Sequence, residues 1–253
     1  MEYFDTHCHL DCPEFDHDRE QVIANCDRLG VTHLLIPAIA ASNWDDVLKT
    51  AALKESYYPA LGMHPVYIED HIPQHLEQLE DYVERFKPVA IGEIGLDFFV
   101  NGLDRARQLA MFEAQLDLAK RKDLPVVLHV RKAHDDVLKL LRRKKLRGGF
   151  VHAFSGSEQQ AQQYIDLGFL LGFGGTLSYD RAQKLRRLVT TLPLEHIAFE
   201  TDAPDIAPAN HRGERNSPEY LTDTVQLVAN LRGVSIDELL ETTNQNVKNL
   251  LRV

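Results

Sequence analysis

Eight short apolar runs, separated by stretches with helical spacing, constrain this chain more than any other feature. The runs are Tyr3–Leu10, His33–Ala38, Tyr58–His64, Pro88–Leu96, Pro125–Arg131, Gly148–Phe154, Phe169–Gly175 and Ile197–Thr201. Amphipathic segments lie between them at Arg19–Leu29, Trp44–Leu53, Leu76–Phe86, Arg105–Arg121, Ala133–Leu146, Glu158–Leu167 and Asp180–Leu192. A strand that is followed by a helix and then by another strand pairs with it in parallel. Eight such repeats predict an α/β protein whose sheet closes into a (β/α)8 barrel rather than staying open. At 253 residues the expectation is one barrel domain over residues 1–253. Gly30 is placed to stop the first helix, and Ser235-Ile-Asp-Glu238 reads as a capping box opening a last helix through Leu251.

Apolar residues form 44% of the chain, enough for a large core. The formal charge of −10 argues against broad attraction to DNA or RNA, although bound metal would add local positive charge that a side-chain count misses. Cys8, Cys12 and Cys26 make no regular disulfide framework, which points to a reducing compartment. No apolar run approaches the roughly 18 residues a spanning helix needs, and no leader-like segment opens the sequence. A cytoplasmic protein without a membrane partner is expected, and a monomer accommodates all of these features.

Six metal-ligating side chains stand near the ends of five of the runs: His7 and His9, Glu93, His129, His152, and Asp202. In a barrel of this kind catalytic groups come from the C-terminal ends of several strands, so these six converge at one mouth. Four imidazoles and two carboxylates suffice for two divalent cations with positions left for water and substrate. His7 and His9, two apart on a strand, share a face, while Cys8 points to the helix layer. Asp5 has the same parity and is expected to orient an imidazole. Glu93 lies between Gly92 and Gly95, which allow close backbone approach, and its two oxygens can bridge two cations. Asp97 and Asp104 are better placed than Glu93 to cap a following helix. Asp202 can bind a cation and also accept a proton from the attacking water, so Asp202 and Glu93 are the expected catalytic carboxylates. Taken singly, each histidine also fits a hydrogen-bonded core residue, and Asp202 a turn before Ala203-Pro204.

Glu200 is expected to support the barrel interior. His64 is a candidate for contact with a substrate oxygen. Arg131, Lys132, His134, Arg212 and Arg215 follow ligand-bearing strands and are candidates for an anionic group, with Arg131 and Arg215 carried forward as substrate-binding residues. Asn216 and Ser217 share the late Pro-rich loop from Ala203 to Pro218, which reads as an active-site loop. His17, His33, His71, His75, His196 and His211 follow no pattern and receive no role.

Together these motifs resemble the TatD family of metal-dependent hydrolases, a branch of the amidohydrolase superfamily, over nearly the whole chain. The resemblance rests on Asp5-Thr-His-Cys-His-Leu10, Leu61-Gly-Met-His-Pro65, Ile91-Gly-Glu-Ile-Gly-Leu-Asp97, Leu128-His129, Val151-His-Ala-Phe-Ser-Gly156 and Glu200-Thr-Asp-Ala-Pro204. Arg215-Asn-Ser-Pro218 and Thr243-Asn-Gln-Asn246 add to it. It implies His7, His9, Glu93 and Asp202 on one cation, and Glu93, His129 and His152 on another. It also implies hydrolysis of phosphate esters, with deoxyribonuclease activity in parts of the family. Small phosphoesters or single-stranded nucleic acid are then the expected substrates, and 3′-exonuclease action or hydrolysis of an amide or lactone the alternatives. Mixed His and carboxylate donors suit Zn²⁺, Mn²⁺, Fe²⁺ or Ni²⁺, and Mg²⁺ less well.

Overall fold

The computed structural model describes residues 1–253. Eight parallel strands pair in chain order: β1 (Tyr3–Asp5), β2 (Val31–Pro37), β3 (Tyr57–Leu61), β4 (Ala90–Asp97), β5 (Val126–Arg131), β6 (Gly149–Val151), β7 (Phe169–Phe173) and β8 (Ile197–Phe199). Between β8 and β1 the ring is joined by backbone bonds at and just beyond the strand ends. Thr6 N donates to Phe199 O at 2.9 Å, Asp202 N to His7 O at 2.9 Å, and His9 N to Ala203 O at 2.8 Å. These bonds lay the segments carrying His7, His9 and Asp202 side by side.

The connecting helices are α1 (Arg19–Leu29), α2 (Trp44–Ala51), α3 (Gln74–Phe86), α4 (Arg105–Lys122), α5 (His134–Lys144), α6 (Glu158–Asp166) and α7 (Gln183–Thr191), followed by α8 (Leu221–Arg232) and α9 (Ile236–Leu251). Helix α8 answers to no segment expected above. Its buried Leu221, Thr224, Val225, Val228 and Ala229 follow helical spacing, but Thr and Asn interrupt the apolar signal. Gly30 stops its helix as expected, at φ 82°. Ser235 caps the last helix, its hydroxyl accepting from Glu238 N at 3.1 Å, though without the reciprocal Glu238 side-chain bond of a capping box. No helix is long and apolar enough to cross a membrane.

Two apolar layers surround the strands. The outer one, of 52 buried residues, joins the barrel to its helices and contains Cys8 and Cys26. The inner one takes one residue from each strand: Phe4, Leu35, Ala60, Ala90, Val127, Phe150, Leu170 and Ala198. Val247 and Leu251 of α9 join this ring, so the last helix seals that end of the barrel. Above the ring, toward the C-terminal ends of the strands, the interior turns polar.

Several strands stop earlier than the apolar runs suggest. β1 ends at Asp5, β3 at Leu61, β6 at Val151 and β8 at Phe199, which leaves His7, His9, His64, His152 and Asp202 in the segments that follow. Glu93 and His129 remain within strands. His7 and His9 therefore do not owe their convergence to strand parity. They meet because the chain beyond β1 is held on both sides, by the bonds to the β8 segment and by Cys8 N donating to Leu35 O at 3.2 Å.

Candidate metal centre

Glu93 is the hub of the mouth. It is buried, and Gly92 and Gly95 beside it admit close neighbours. A Cβ at Gly95, whose φ is 147°, would lie 2.0 Å from His129 O, and one at Gly92 would lie 2.6 Å from the Val127 Cβ. Strands β4 and β5 can thus press together at the point where Glu93 and His129 project.

The two carboxylate oxygens of Glu93 face different partners. Oε2 lies 3.1 Å from His7 Nε2 and 3.7 Å from His9 Nε2. Asp202 Oδ1 is 3.6 Å from His7 Nε2 and 3.7 Å from His9 Nε2, and the two imidazole nitrogens are 3.2 Å apart. Donors placed about 2.0–2.1 Å from a tetrahedral divalent cation stand about 3.3–3.4 Å from one another. The five separations measured here, 3.1–3.7 Å, bracket that value. No Lys or Arg pairs with Glu93 or Asp202; every ion-pair partner they have is an imidazole. His7, His9 and Asp202 form one cluster with ligand spacing and Glu93 adjoins both imidazoles, so a buried and a half-buried carboxylate that no basic side chain compensates fit a cation here.

On the other side, Glu93 Oε1 is 3.1 Å from His129 Nδ1 and 3.3 Å from His64 Nε2. His64, Glu93 and His129 thus form a second cluster with ligand spacing. His152 forms a third cluster with ligand spacing, together with His7 and Glu93. Its ring stacks on His7 at 3.6 Å between centroids, and its Nε2 is 3.5 Å from Asp202 Oδ2. Glu93 is thus shared by His64 and His129 on one side and by His7 and His152 on the other.

The carboxylates and imidazoles tune one another. Burial alone would raise Glu93, but His64, His7 and the hydrogen bond from His129 overcome it and hold the carboxyl well below its usual range. Asp202 is likewise lowered, because His152 and His7 outweigh its burial. Burial pushes His64 down to about 4, which leaves its ring neutral and able to ligate at pH 7. His152 goes the other way, since Glu200 and Asp202 outweigh its burial. Asp202 and Ala153 also hold positive φ, 59° and 43°, so the two segments leaving β8 and β6 turn sharply beside the centre.

A set of supporting residues holds these groups, and most of it escaped the sequence reading. Asp97 Oδ2 lies 2.9 Å from His129 Nε2, while its Oδ1 accepts from Phe99 N at 2.8 Å and Val100 N at 3.0 Å. This carboxylate grips the imidazole from the side opposite Glu93. Gln108 and Gln115, seven apart on α4, each clamp one backbone residue through two hydrogen bonds. Gln108 holds Asp97 at 2.9 and 3.0 Å, and Gln115 holds Met63, next to His64, at 2.8 and 3.2 Å. His71, which had no assigned role, donates Nε2 to His64 O at 2.9 Å. Glu200 accepts from Ala153 N at 2.6 Å and faces His152 Nδ1 at 3.1 Å. Asp5 does not reach an imidazole. Its carboxylate accepts from Thr201 N, Thr201 Oγ1 and His7 N, and so ties β1 to the segment after β8. Glu200 does support the interior as expected; for Asp97, Gln108, Gln115 and His71 only the i+4 spacing of Glu93 and Asp97 offered a signal in the sequence.

The expected anion-binding residues divide. The Arg131 guanidinium lies 3.8 Å over the Phe99 ring at the exposed rim. Lys132 and Arg212 are exposed, and His134 meets the Tyr164 hydroxyl at 3.2 Å beneath α6. Arg215 is engaged elsewhere. It makes two bonds of 2.7 Å to the Asp18 carboxylate, donates to Glu14 O at 2.6 Å and lies over the Phe15 ring. In this position it pins the late loop to the start of α1. Asn216 holds the same loop from below, donating to Thr201 O at 2.7 Å and Asp205 O at 2.6 Å. Ser217 bonds Glu219 instead.

Comparison with known proteins agrees with this geometry. A family model described as TatD related DNase matches residues 4–252. An uncharacterized metal-dependent hydrolase, YjjV, of Escherichia coli is 41% identical, with 99% of this chain and 98% of the relative covered. The crystal structure of the Escherichia coli YjjV TatD homologue superposes with a TM-score of 0.95 over 99% of this chain and 98% of the other. A protein named 3′-5′ ssDNA/RNA exonuclease TatD, of Erwinia tasmaniensis, is 33% identical over 99% of this chain and its own full length (100%). A TatD family hydrolase from Entamoeba histolytica, 21% identical with a TM-score of 0.87 and with 99% and 98% of the two chains covered, shares the fold. The chain belongs to the TatD family of metal-dependent hydrolases.

Proposed function

We propose that this protein hydrolyses phosphate ester bonds, phosphodiesters above all, with two divalent cations held at the barrel mouth of a single domain. The observation that carries the reading is the split of Glu93, with one oxygen turned to His7 and His9 and the other to His64 and His129. A carboxylate shared between two sets of imidazoles would suit a two-metal hydrolytic site. His7, His9, Glu93 and Asp202 would hold one cation, and Glu93, His129 and His152 the other. His64 lies close enough to the same Glu93 oxygen to join the second set or to touch the phosphate beside it. Such cations supply Lewis acidity toward a phosphoryl oxygen and lower the pKa of a water toward ~7.

The remaining chemistry belongs to the chain. Asp202 takes the proton of the attacking water and passes it toward the leaving oxygen, with its second oxygen steadied by His152. Glu93 keeps the two halves of the site in register, and Asp97 fixes the His129 ring. Spacing near the tetrahedral value makes Zn²⁺ the first metal to try, with Mn²⁺, Fe²⁺, Ni²⁺ and Mg²⁺ as alternatives. The exonuclease relative supports single-stranded nucleic acid as a substrate alongside small phosphoesters. Three free cysteines, two of them buried, accord with a cytoplasmic setting.

The test is hydrolysis of bis(p-nitrophenyl) phosphate by purified protein. Activity should vanish with chelator, return with Zn²⁺ or Mn²⁺, and be lost in Asp202→Asn. Activity that survives chelation or Glu93→Ala would contradict the proposal.

A further inference from the structure

A cavity of about 680 Å³ opens between the loops that follow β6, β7 and β8, with its lining beginning two residues past Asp202 at Pro204. Its β8 wall runs from Pro204 to Ala207, and Asp205 N donates to Asp202 O at 2.8 Å. Ser155, three residues past His152, forms part of the rim. The volume lies within the range of small-molecule sites.

The walls are held in place before any ligand arrives. The Tyr179 hydroxyl donates to Ala207 O at 2.9 Å, and Ala209 N donates to the Ser178 hydroxyl at 2.7 Å, which locks the β7 loop to the β8 loop. Arg186 of α7 donates to Leu177 O at 2.8 Å and Ser178 O at 3.0 Å, which fixes the β7 loop from behind. At Gly175 a Cβ would meet Ile206 O at 2.7 Å, so the close approach of the two loops depends on glycine there. A rigid cavity bordering the segment that carries Asp202 favours a positioned substrate over a passive gap.

Its lining is divided in charge. Arg181 and Lys184 stand on the α7 side, Asp205 and Glu214 on the other, and Tyr179, Leu185, Pro204 and Ile206 supply flat or apolar surface. Lys184 already donates to Ser155 O at 2.8 Å. Arg181 has no acidic partner, and its guanidinium lies 5.5 Å from the Tyr179 ring centre. A bare polyanion would be repelled by Asp205 and Glu214, and a neutral apolar group would leave Arg181 unused. Glu214 is already paired with His211 Nδ1 at 2.8 Å, which leaves Asp205 as the open acceptor. A nucleotide answers all three surfaces, with a phosphate for Arg181, a sugar or base N–H or O–H donor for Asp205, and a flat base for Tyr179 and Ile206.

From this we infer that the cavity binds the nucleotide attached to the phosphate under hydrolysis, and that Arg181 holds a second phosphate on that nucleotide. The inference rests on the phosphodiester reading given above. It makes substrates that carry a phosphate on both sides of one nucleoside better than those with only one.

The experiment compares binding of thymidine 3′,5′-bisphosphate with that of thymidine 5′-monophosphate and 3′-monophosphate by calorimetry, in wild type, Arg181→Ala and Arg181→Lys. Wild type should prefer the bisphosphate over the better monophosphate by roughly 10- to 100-fold, the scale of a charged hydrogen-bonded contact. Arg181→Ala should abolish the preference, and Arg181→Lys should restore part of it. Arg181 is exposed, and a melting curve checks that each variant is folded. Equal binding of bisphosphate and monophosphates by wild type, or a preference that persists in Arg181→Ala, overturns the inference. Wild-type hydrolysis of bis(p-nitrophenyl) phosphate is measured alongside. Nucleotide preference without that hydrolysis would defeat the phosphodiesterase reading alone, and hydrolysis without nucleotide preference would defeat the cavity assignment alone.

Discussion

The two ends of the barrel are built on opposite physical plans. At the N-terminal end, one apolar residue from each strand forms a ring that Val247 and Leu251 of α9 close. At the mouth, Glu93 is buried among imidazoles, two of which (His7 and His152) have a nitrogen without a hydrogen-bond partner, and Asp202 turns through positive φ. Burial of apolar surface drives folding at the first end. At the second, desolvated charge and constrained backbone oppose it. The comparison teaches that stability and chemistry are separated along the barrel axis, with the strands as the rigid link between them.

The largest expected effect lies at the mouth. Glu93→Ala should cut phosphodiester hydrolysis by at least about 10³-fold, the scale of removing a principal charge-organising group. Its melting temperature in chelator should match or exceed that of wild type, because a buried carboxylate is gone. A melting temperature lowered as far as by an apolar-ring mutation would break the division between the two ends.

Next comes the ring itself. Phe150→Ala should cost about 3–5 kcal/mol of stability, and so lower the melting temperature by about 10 °C. The protein that remains folded should keep its metal content and kcat. Calorimetry with metal analysis checks both, and a metal content that falls with stability would show the two ends to be coupled.

Between the ends, α4 carries position to the mouth through its two glutamines. Gln108→Ala should weaken metal affinity roughly 10- to 100-fold by freeing Asp97 and hence His129, and excess metal should restore activity. A loss that no metal concentration reverses would argue that Gln108 acts on folding instead.

Arg215 gives the smallest effect. With its guanidinium given to Asp18 and Glu14 O, Arg215→Ala should lower stability by no more than about 1 kcal/mol and leave KM within about twofold. A large rise in KM would return Arg215 to the substrate-binding role that sequence position suggested.

The pattern of these effects follows what the sequence made legible. The barrel could be read because strand and helix periodicities alternate along the whole chain. The candidate ligands stood out because His and carboxylates recur where apolar runs end, and such runs end at the mouth. Strand ends were overestimated because apolar character continues past the last ladder bond. At His7, His9, His152 and Asp202 the backbone leaves the sheet while its side chains still face the interior. Contacts between distant segments left no local trace. Arg215 meets Asp18 across most of the chain, Gln115 meets Met63 from another helix, and His64 joins Glu93 and His129 only through three-dimensional closure. Helix α8 stayed hidden for another reason, because its buried face includes Thr224 and its apolar periodicity is diluted.

The split of Glu93 between two donor sets is the central claim, and counting metal tests it most directly. Protein loaded with Zn²⁺, freed of excess metal and analysed by inductively coupled plasma mass spectrometry should retain two equivalents per chain, and Glu93→Ala should retain at most one. One equivalent in wild type, or two in Glu93→Ala, would contradict the account.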